Sequence, residues 1–591
     1  MLLKRSLFTT LAALSLVTAP ELAISTPRVF AQPTPIAVPP EVSRSTSIAS
    51  ILPAETLGVV MINTQDDRWK ELSQFNLFPD NFSFPGALLY PTEQGASFEK
   101  DIQPWLGDQF GVALLSAKSM VIALSVKDQT ALDQYVDRLK KSRKAPKETQ
   151  YKGATILEFE LPTPEPANPA KADKKPGQSK PSAPFFPTPK FAIAILPGYF
   201  VGANSADAIK EMLDGQGKLT ENPKYQKLAN NPKASRSIAM LYGKYVEAFR
   251  AINEMQKAQL EEIRKISPNA PALPDFSIDP QNIDPLGQFY DTAEGYVWAE
   301  PTGLRTEIGI TFKQPVPESL VSSLTTRNEI LQRLPQVNYM VANSQNLALY
   351  WQTLVTGLES QPAWKTAINQ ARKSMQEGFG VDDRDLLPWM NGEYVVFAYP
   401  TRKGFLPSAN AEIALGMMVQ TSDRAAADTA LKKFTSFVEP RLGKPLVQRG
   451  TIAGQPFTSY GTVDKGRSLN FFSYGWTDEN TLLMLFGGGA LNEFNPKPTR
   501  NLTQTPNFQS AIEPFPNANL GYFYVNQGAF MSFVNTALLP AFMGRSAQNN
   551  PFVTQIQDSL GSIRSISGAS GISSNRVQFE GFLSLSPRLK R

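Results

Sequence analysis

The densest group of chemically capable side chains in this sequence is Val381-Asp382-Asp383-Arg384-Asp385. Two carboxyls can cleave a glycosidic bond when they face each other across it, about 5–9 Å apart. Neighbours in one loop seldom reach that geometry, and the alternating acids followed by Gly of a calcium loop are absent. The group therefore reads first as solvated charges capping a helix. Its second reading is part of a hydrolase that works with carboxylates alone. Phe486-Gly487-Gly488-Gly489-Ala490 follows an apolar run and could cradle a phosphate at a helix start. No Lys-Ser/Thr follows it, and GxGxxG spacing is missing. Val201-Gly202-Ala203-Asn204 stands at the matching place earlier in the chain, so a tight strand-to-helix turn is the plainer account. The sequence assigns no catalytic, cofactor-binding or metal-ligating residue, and no cofactor is expected.

Composition sharpens that result. None of the 591 residues is His or Cys. Without Cys there are no disulfides, thiol nucleophiles, thiolate metal sites or iron–sulfur clusters. Without His the commonest general base near neutral pH is gone, and with it the commonest ligand for zinc or copper. Ser-His-Asp hydrolysis and HExxH proteolysis are excluded outright. An enzyme remains possible but is the less favoured class.

Two apolar features could serve binding instead. Ala529–Met543 (AFMSFVNTALLPAFM) is apolar on most sides, and its candidate surface residues are Phe530, Phe533, Leu538 and Phe542. Burial against the rest of the chain is the plainer reading, and a groove for a hydrophobic ligand is the functional one. The second feature is a Trp preceded by Asp and Pro that occurs twice, as Asp101, Pro104, Trp105 and as Asp385, Pro388, Trp389. An exposed Trp could stack on a sugar. A turn in which Asp caps, Pro stiffens and Trp seals a sheet end explains better why both copies have it.

That second feature belongs to a larger repeat. Residues 101–115 return at 385–399, an offset of 284. Leu52-Pro53 with Trp69 returns as Leu334-Pro335 with Trp351, and Leu219–Gln226 returns as Leu502–Gln509. Near-equal offsets across the chain indicate tandem duplication of one module. The expected boundaries are 48–316 for the first copy and 317–591 for the second. A Pro/Lys-rich insert at 161–190, expected to be disordered, interrupts the first copy only. Its Lys171, Lys174, Lys175 and Lys180 read as solvated linker charges.

Within each copy, short apolar runs such as Gly58–Asn63, Met120–Val126 and Ile413–Val419 predict strands. Asp128 and Asp423 are placed to cap helices whose apolar stripes hold Leu132, Val136 and Leu139, and Ala427, Leu431 and Phe434. Sequential strands with helices between groups argue for an α+β fold: two tandem copies of a mostly antiparallel sheet domain with packed helices.

The chain start reads as an export signal over residues 1–31, with Lys4 and Arg5 before the apolar stretch Ser6–Ala19. A flexible Pro-rich lead-in at 32–47 follows. No apolar run reaches the length of a membrane span, so the chain is not expected to be an integral membrane protein after signal cleavage. Net charge is +5 and falls to +3 without the leader, too small to argue for nucleic acid. Periplasm is the expected compartment, with thylakoid lumen or the extracellular medium as alternatives.

The opening LPAETLGVVMINT with its following Trp, the DxxPW segment and the LTxxPxYQ box together resemble a cyanobacterial family of exported proteins, catalogued as domain of unknown function 3352. The resemblance covers essentially the whole mature chain. It implies an extracytoplasmic address and no assigned activity. The reading that follows is an exported, non-enzymatic binding or scaffold protein of the cell envelope. Its partner would be an envelope protein met in a groove between the copies. The alternative is a carrier of a hydrophobic small molecule.

Overall fold

Runs of β-branched and aromatic residues, broken by Gly, Pro or charged pairs, fold into strands. In the computed structural model these form two series of ten. The model describes residues 47–78, 98–142, 145–160, 190–266, 284–359, 362–401, 413–441, 446–464, 467–495, 497–513, 515–516, 519–535 and 561–588. The first series is β1 (Gly58–Asn63), β2 (Leu106–Leu114), β3 (Met120–Val126), β4 (Lys147–Tyr151), β5 (Ala154–Glu160), β6 (Lys190–Leu196), β7 (Tyr199–Ala203), β8 (Ala239–Lys244), β9 (Tyr290–Glu300) and β10 (Gly303–Phe312). The second is β11 (Met340–Gln345), β12 (Glu393–Pro400), β13 (Ile413–Gln420), β14 (Leu446–Ile452), β15 (Gln455–Asp464), β16 (Arg467–Trp476), β17 (Thr481–Phe486), β18 (Tyr522–Asn526), β19 (Ile563–Ile572) and β20 (Arg576–Leu585). The expected signal, nearly all of the lead-in and of the 161–190 insert, Leu538 and Phe542 lie outside the described residues.

The fold is α+β, and every strand pairing is antiparallel. In the first series the neighbours run β4-β5-β6-β7-β3-β2-β1-β8-β9-β10. In the second they run β14-β15-β16-β17-β13-β12-β11-β18-β19-β20, the same order. One sheet per copy was expected from the sequence. The structure has a single sheet of twenty strands instead, because the last strands of the two series, β10 and β20, pair with each other from Gly303↔Ser584 to Thr311↔Arg576. Each would otherwise present an open edge with unpaired backbone groups, and each satisfies the other.

Helices cover both faces of the sheet. Asp128 Oδ1 accepts from the Ala131 N–H at 3.0 Å, which starts the helix Gln129–Ser142. Its Leu132, Val136 and Leu139 pack on one face of the first series with Phe110, Leu124 and Phe159. The opposite face is closed by the helices Ala206–Asp214 and Pro223–Ala229, through Ile209, Met212 and Leu228. In the second series Asp423 Oδ1 accepts from Ala426 at 2.9 Å and opens the helix Arg424–Val438.

The chain end locks the halves together. Ile563, Leu583 and Leu585 join a core made mostly by the first half, with Trp69, Leu72 and Phe75. The Asn76 N–H donates to the Ser586 carbonyl at 3.1 Å, and the Arg588 N–H donates to Gln74 at 2.6 Å.

Candidate apolar binding face

Strand register fixes which side chains share a face. Phe523, Ala342, Val396, Met417, Met484 and Tyr474 are successive cross-strand partners over β18, β11, β12, β13, β17 and β16. Two residues along each strand lies a second row, Val525, Met340, Ala398, Leu415, Phe486 and Phe472. No charged or amide side chain occurs in either row. Ala398 alone among the twelve is buried, and Met340, Val396, Leu415, Phe486 and Phe523 are 38% to 57% exposed. At a strand spacing of ~4.8 Å, six strands give a track ~24 Å long and, at two residues, ~7 Å wide.

The track runs between two built walls. On one side stand Trp389, Val419, Leu431, Trp476 and Leu482. On the other, Tyr339, Ile413 and Phe533 form one buried cluster with Ala398 of the second row, and the Tyr339 and Phe533 rings are 5.1 Å apart. From Phe486 an aromatic row continues to Phe472 (5.1 Å), Phe434 (6.2 Å) and Phe379 (6.4 Å), the last residue of the helix Pro362–Phe379. Phe379 is itself 53% exposed.

The first half treats the same face differently. By register Met340 and Val525 correspond to Gly58 and Gly243. A Cβ on either glycine would stand 3.6 Å and 3.8 Å from the Ala248 side chain, so the helix Tyr245–Ile266 rests there directly on the sheet. Among the described residues, the first half exposes only Val60 and Ile252 as large apolar side chains, and the other such residues belong to the second half. Gly58→Met would force that helix off the sheet, and we expect a loss of about 1–3 kcal/mol, as for other overpacked sites. Denaturant unfolding of the variant measures it. A cost near zero would mean that the helix does not need this close approach.

The residues singled out in the sequence are distributed as follows. Phe533 is buried as part of a wall, and Phe530 is half-buried beside it. Trp105 and Trp389 are buried, while Pro104 and Pro388 are exposed. The Trp105 indole donates to the Asp101 carbonyl at 2.7 Å, and the Asp101 carboxylate meets Arg138 at 3.0 Å. The Trp389 indole N–H finds no partner among the described residues. Asp385 takes Lys433 at 2.7 Å and Gln376 at 3.2 Å. Sequence reading missed the track because Met340-Val341-Ala342 and Leu415–Val419 are apolar on both faces, which is also how a doubly covered strand reads.

Each carboxyl of the acidic loop faces a cation: Asp382 meets Arg384, Asp383 meets Arg372 and Asp385 meets Lys433. Arg384 beside Asp382 holds that carboxyl well below the usual range. Asp383 is lowered by the Arg372 fork and, less strongly, by the Trp351 indole. Among the described residues, the other carboxyls moved from their ordinary values, Glu55 and Asp214, also move down. A general acid needs the opposite shift. Gly487, with φ 91°, turns the chain from β17 into a short 3-10 helix and donates its N–H to the Phe471 carbonyl at 2.9 Å.

A family model described as a protein of unknown function, DUF3352, matches residues 22–585. The chain belongs to the DUF3352 family. A comparison with curated proteins finds no match. Among solved structures, crystal forms IV and III of TP0453 are similar at 11% and 10% identity. Each match covers 48% of this chain, with 86% and 90% of the respective TP0453 chain, at a TM-score of 0.23. A score that low carries no argument about fold or function. Among the described residues of this DUF3352 chain, no helix is long and apolar enough to cross a membrane, and no group of His, Cys, Asp or Glu could hold a metal ion.

Proposed function

We propose that this chain is an exported binding protein of the cell envelope whose working surface is the apolar track of its second half. The carrying observation is the contiguity of Met340, Val396, Leu415, Phe486 and Phe523 on one face of neighbouring strands. A contiguous row of exposed apolar side chains, unlike apolar residues scattered singly, is the feature that supports an interaction site here. The groove between the halves first expected from the sequence is a weaker candidate, since there the halves meet edge to edge through β10 and β20.

The same proposal reads the halves as duplicates, 48–316 and 317–591, behind a cleaved leader. Identical neighbour order supports this. So does a shared tether: the Ile48 N–H donates to Gln109 Oε1 at 3.1 Å, and the Ile330 N–H to Glu393 Oε2 at 2.7 Å, at matching register positions. In the first copy a helix rests on two glycines, and in the second Met340 and Val525 stand at the matching positions. Periplasm is the compartment we favour, with export resting on the leader-like start.

An environment-sensitive apolar dye tests the function. The protein should enhance its fluorescence at one saturable site, and Leu415→Asp should weaken that binding at least 10-fold while the circular dichroism spectrum is kept. Dye binding unchanged by Leu415→Asp would place the site elsewhere.

A further inference from the structure

Resting on that reading, we infer that the occupant of the track is the single extended acyl chain of a detached fatty acid. Shape decides first. The track measures ~24 Å by ~7 Å, or on the order of 170 Å², whereas a stable protein partner covers about 800 Å² per side. A helix laid along it would need about 10 Å of width with its side chains. An extended hydrocarbon chain needs less than either. One leaflet of a bilayer is about 15 Å of acyl chain, so a single chain lies along most of the track.

Chemistry agrees. The positions along the floor carry no charge and no amide that would demand a polar partner. Three of them are methionines, Met340, Met417 and Met484, whose unbranched, polarisable side chains mould to a flexible ligand better than β-branched ones. Phe486 and Phe472 then pass the chain end toward Phe434 and Phe379. Buried clusters flank both long sides of the floor, which a flat surface would not have.

Displacement of the dye by octanoate, dodecanoate and hexadecanoate tests the inference on the full protein. Affinity should rise roughly 2-fold per added methylene, about the square root of the factor for complete burial, since one side of the chain stays in water. Met417→Asp, in the middle of the track, should abolish displacement by all three. Phe379→Ser, at its far end, should weaken hexadecanoate and leave octanoate unchanged. Where Met417→Asp fails to fold, the surface changes Phe486→Ser and Phe523→Ser give the same readout.

Dye that binds in a Leu415-dependent way but resists every fatty acid overturns the inference and leaves the apolar-binding reading standing. The same holds for binding to phosphatidylcholine vesicles that free fatty acids do not compete, which would make the face a membrane-docking surface. Absence of any dye site sinks both.

Discussion

Arg576→Ala is expected to cost about 3 kcal/mol of folding stability, read as a lower denaturant midpoint. Arg576 stands on β20, in the second half, and its guanidinium crosses the seam to two glutamates of the first half. Its Nη1 lies 2.7 Å from Glu294 and its Nη2 3.5 Å from Glu307. Both carboxylates are buried, and Gly309 supplies the room, since a Cβ there would stand 2.0 Å from the guanidinium. Truncating the arginine leaves Glu294 buried without its cation, while Lys233 still serves Glu307, which holds the effect to the low end for a broken buried pair. Arg305 makes the reciprocal crossing from β10 to Glu580 on β20. The intact protein is expected to unfold in one transition, and removing both arginines should split it into two, one per half. A double variant that still melts in one step would mean that the backbone ladder alone couples the halves.

This polar seam also explains how the two strand series find one register. Glu307 and Glu580 face each other directly in the β10–β20 ladder, an arrangement that repels unless each acid has its own cation. Lys233 and Arg576 serve one, Arg305 and Gln578 the other. A slip by two residues would separate the two pairs that cross the seam, Arg576 with Glu307 and Arg305 with Glu580, and a slip by one would turn the charges onto the face where Leu304 and Leu583 pack. The apolar track needs no comparable register device, because its rows are interchangeable hydrocarbon. Specificity in joining and tolerance in binding thus fall to different parts of one sheet.

Much of the local structure was legible because local physics set it. Asp128 and Asp423 cap the helices their positions predicted, and Leu132, Val136 and Leu139 lie on the buried stripe that their spacing requires. The strands β10 and β20 are encoded locally too, but their partnership is not. Each looks like the closing arm of its own hairpin, and nothing local says that two such edges will meet 270 residues apart in sequence. The helices Leu347–Glu359 and Pro362–Phe379 escaped notice for a related reason. Reading the second half as a repeat of the first projects onto it the short helix Asp66–Ser73 and no more. Exposure on the track was illegible in principle, since Val396 or Leu415 is the same residue whether covered or open, and only the fold decides.

Arg372→Ala is expected to cost about 3 kcal/mol near neutral pH, and less as the pH falls. The arginine sits on the helix Pro362–Phe379 and forks onto Asp383, with Nε at 2.7 Å and Nη2 at 2.9 Å, while Nη1 reaches Glu359 at the end of the preceding helix. The Trp351 indole completes the Asp383 shell at 2.8 Å. One guanidinium thereby ties three helical segments together around a buried carboxylate. Because this fork lowers the Asp383 pKa in the folded state, its stabilisation is complete above the unfolded value of about 4 and is lost as pH drops through the folded value. Wild type should lose thermal stability between pH 5 and pH 2 more steeply than the variant, so the gap between their melting curves should narrow on acidification. A gap constant from pH 7 to pH 2 would show that Arg372 acts by packing rather than by its charge. The helix pinned in this way ends at Phe379, the far end of the aromatic row. Loosening it should therefore weaken the longest acyl chains and spare the short ones, linking an ion pair outside the track to the length of ligand the track can hold.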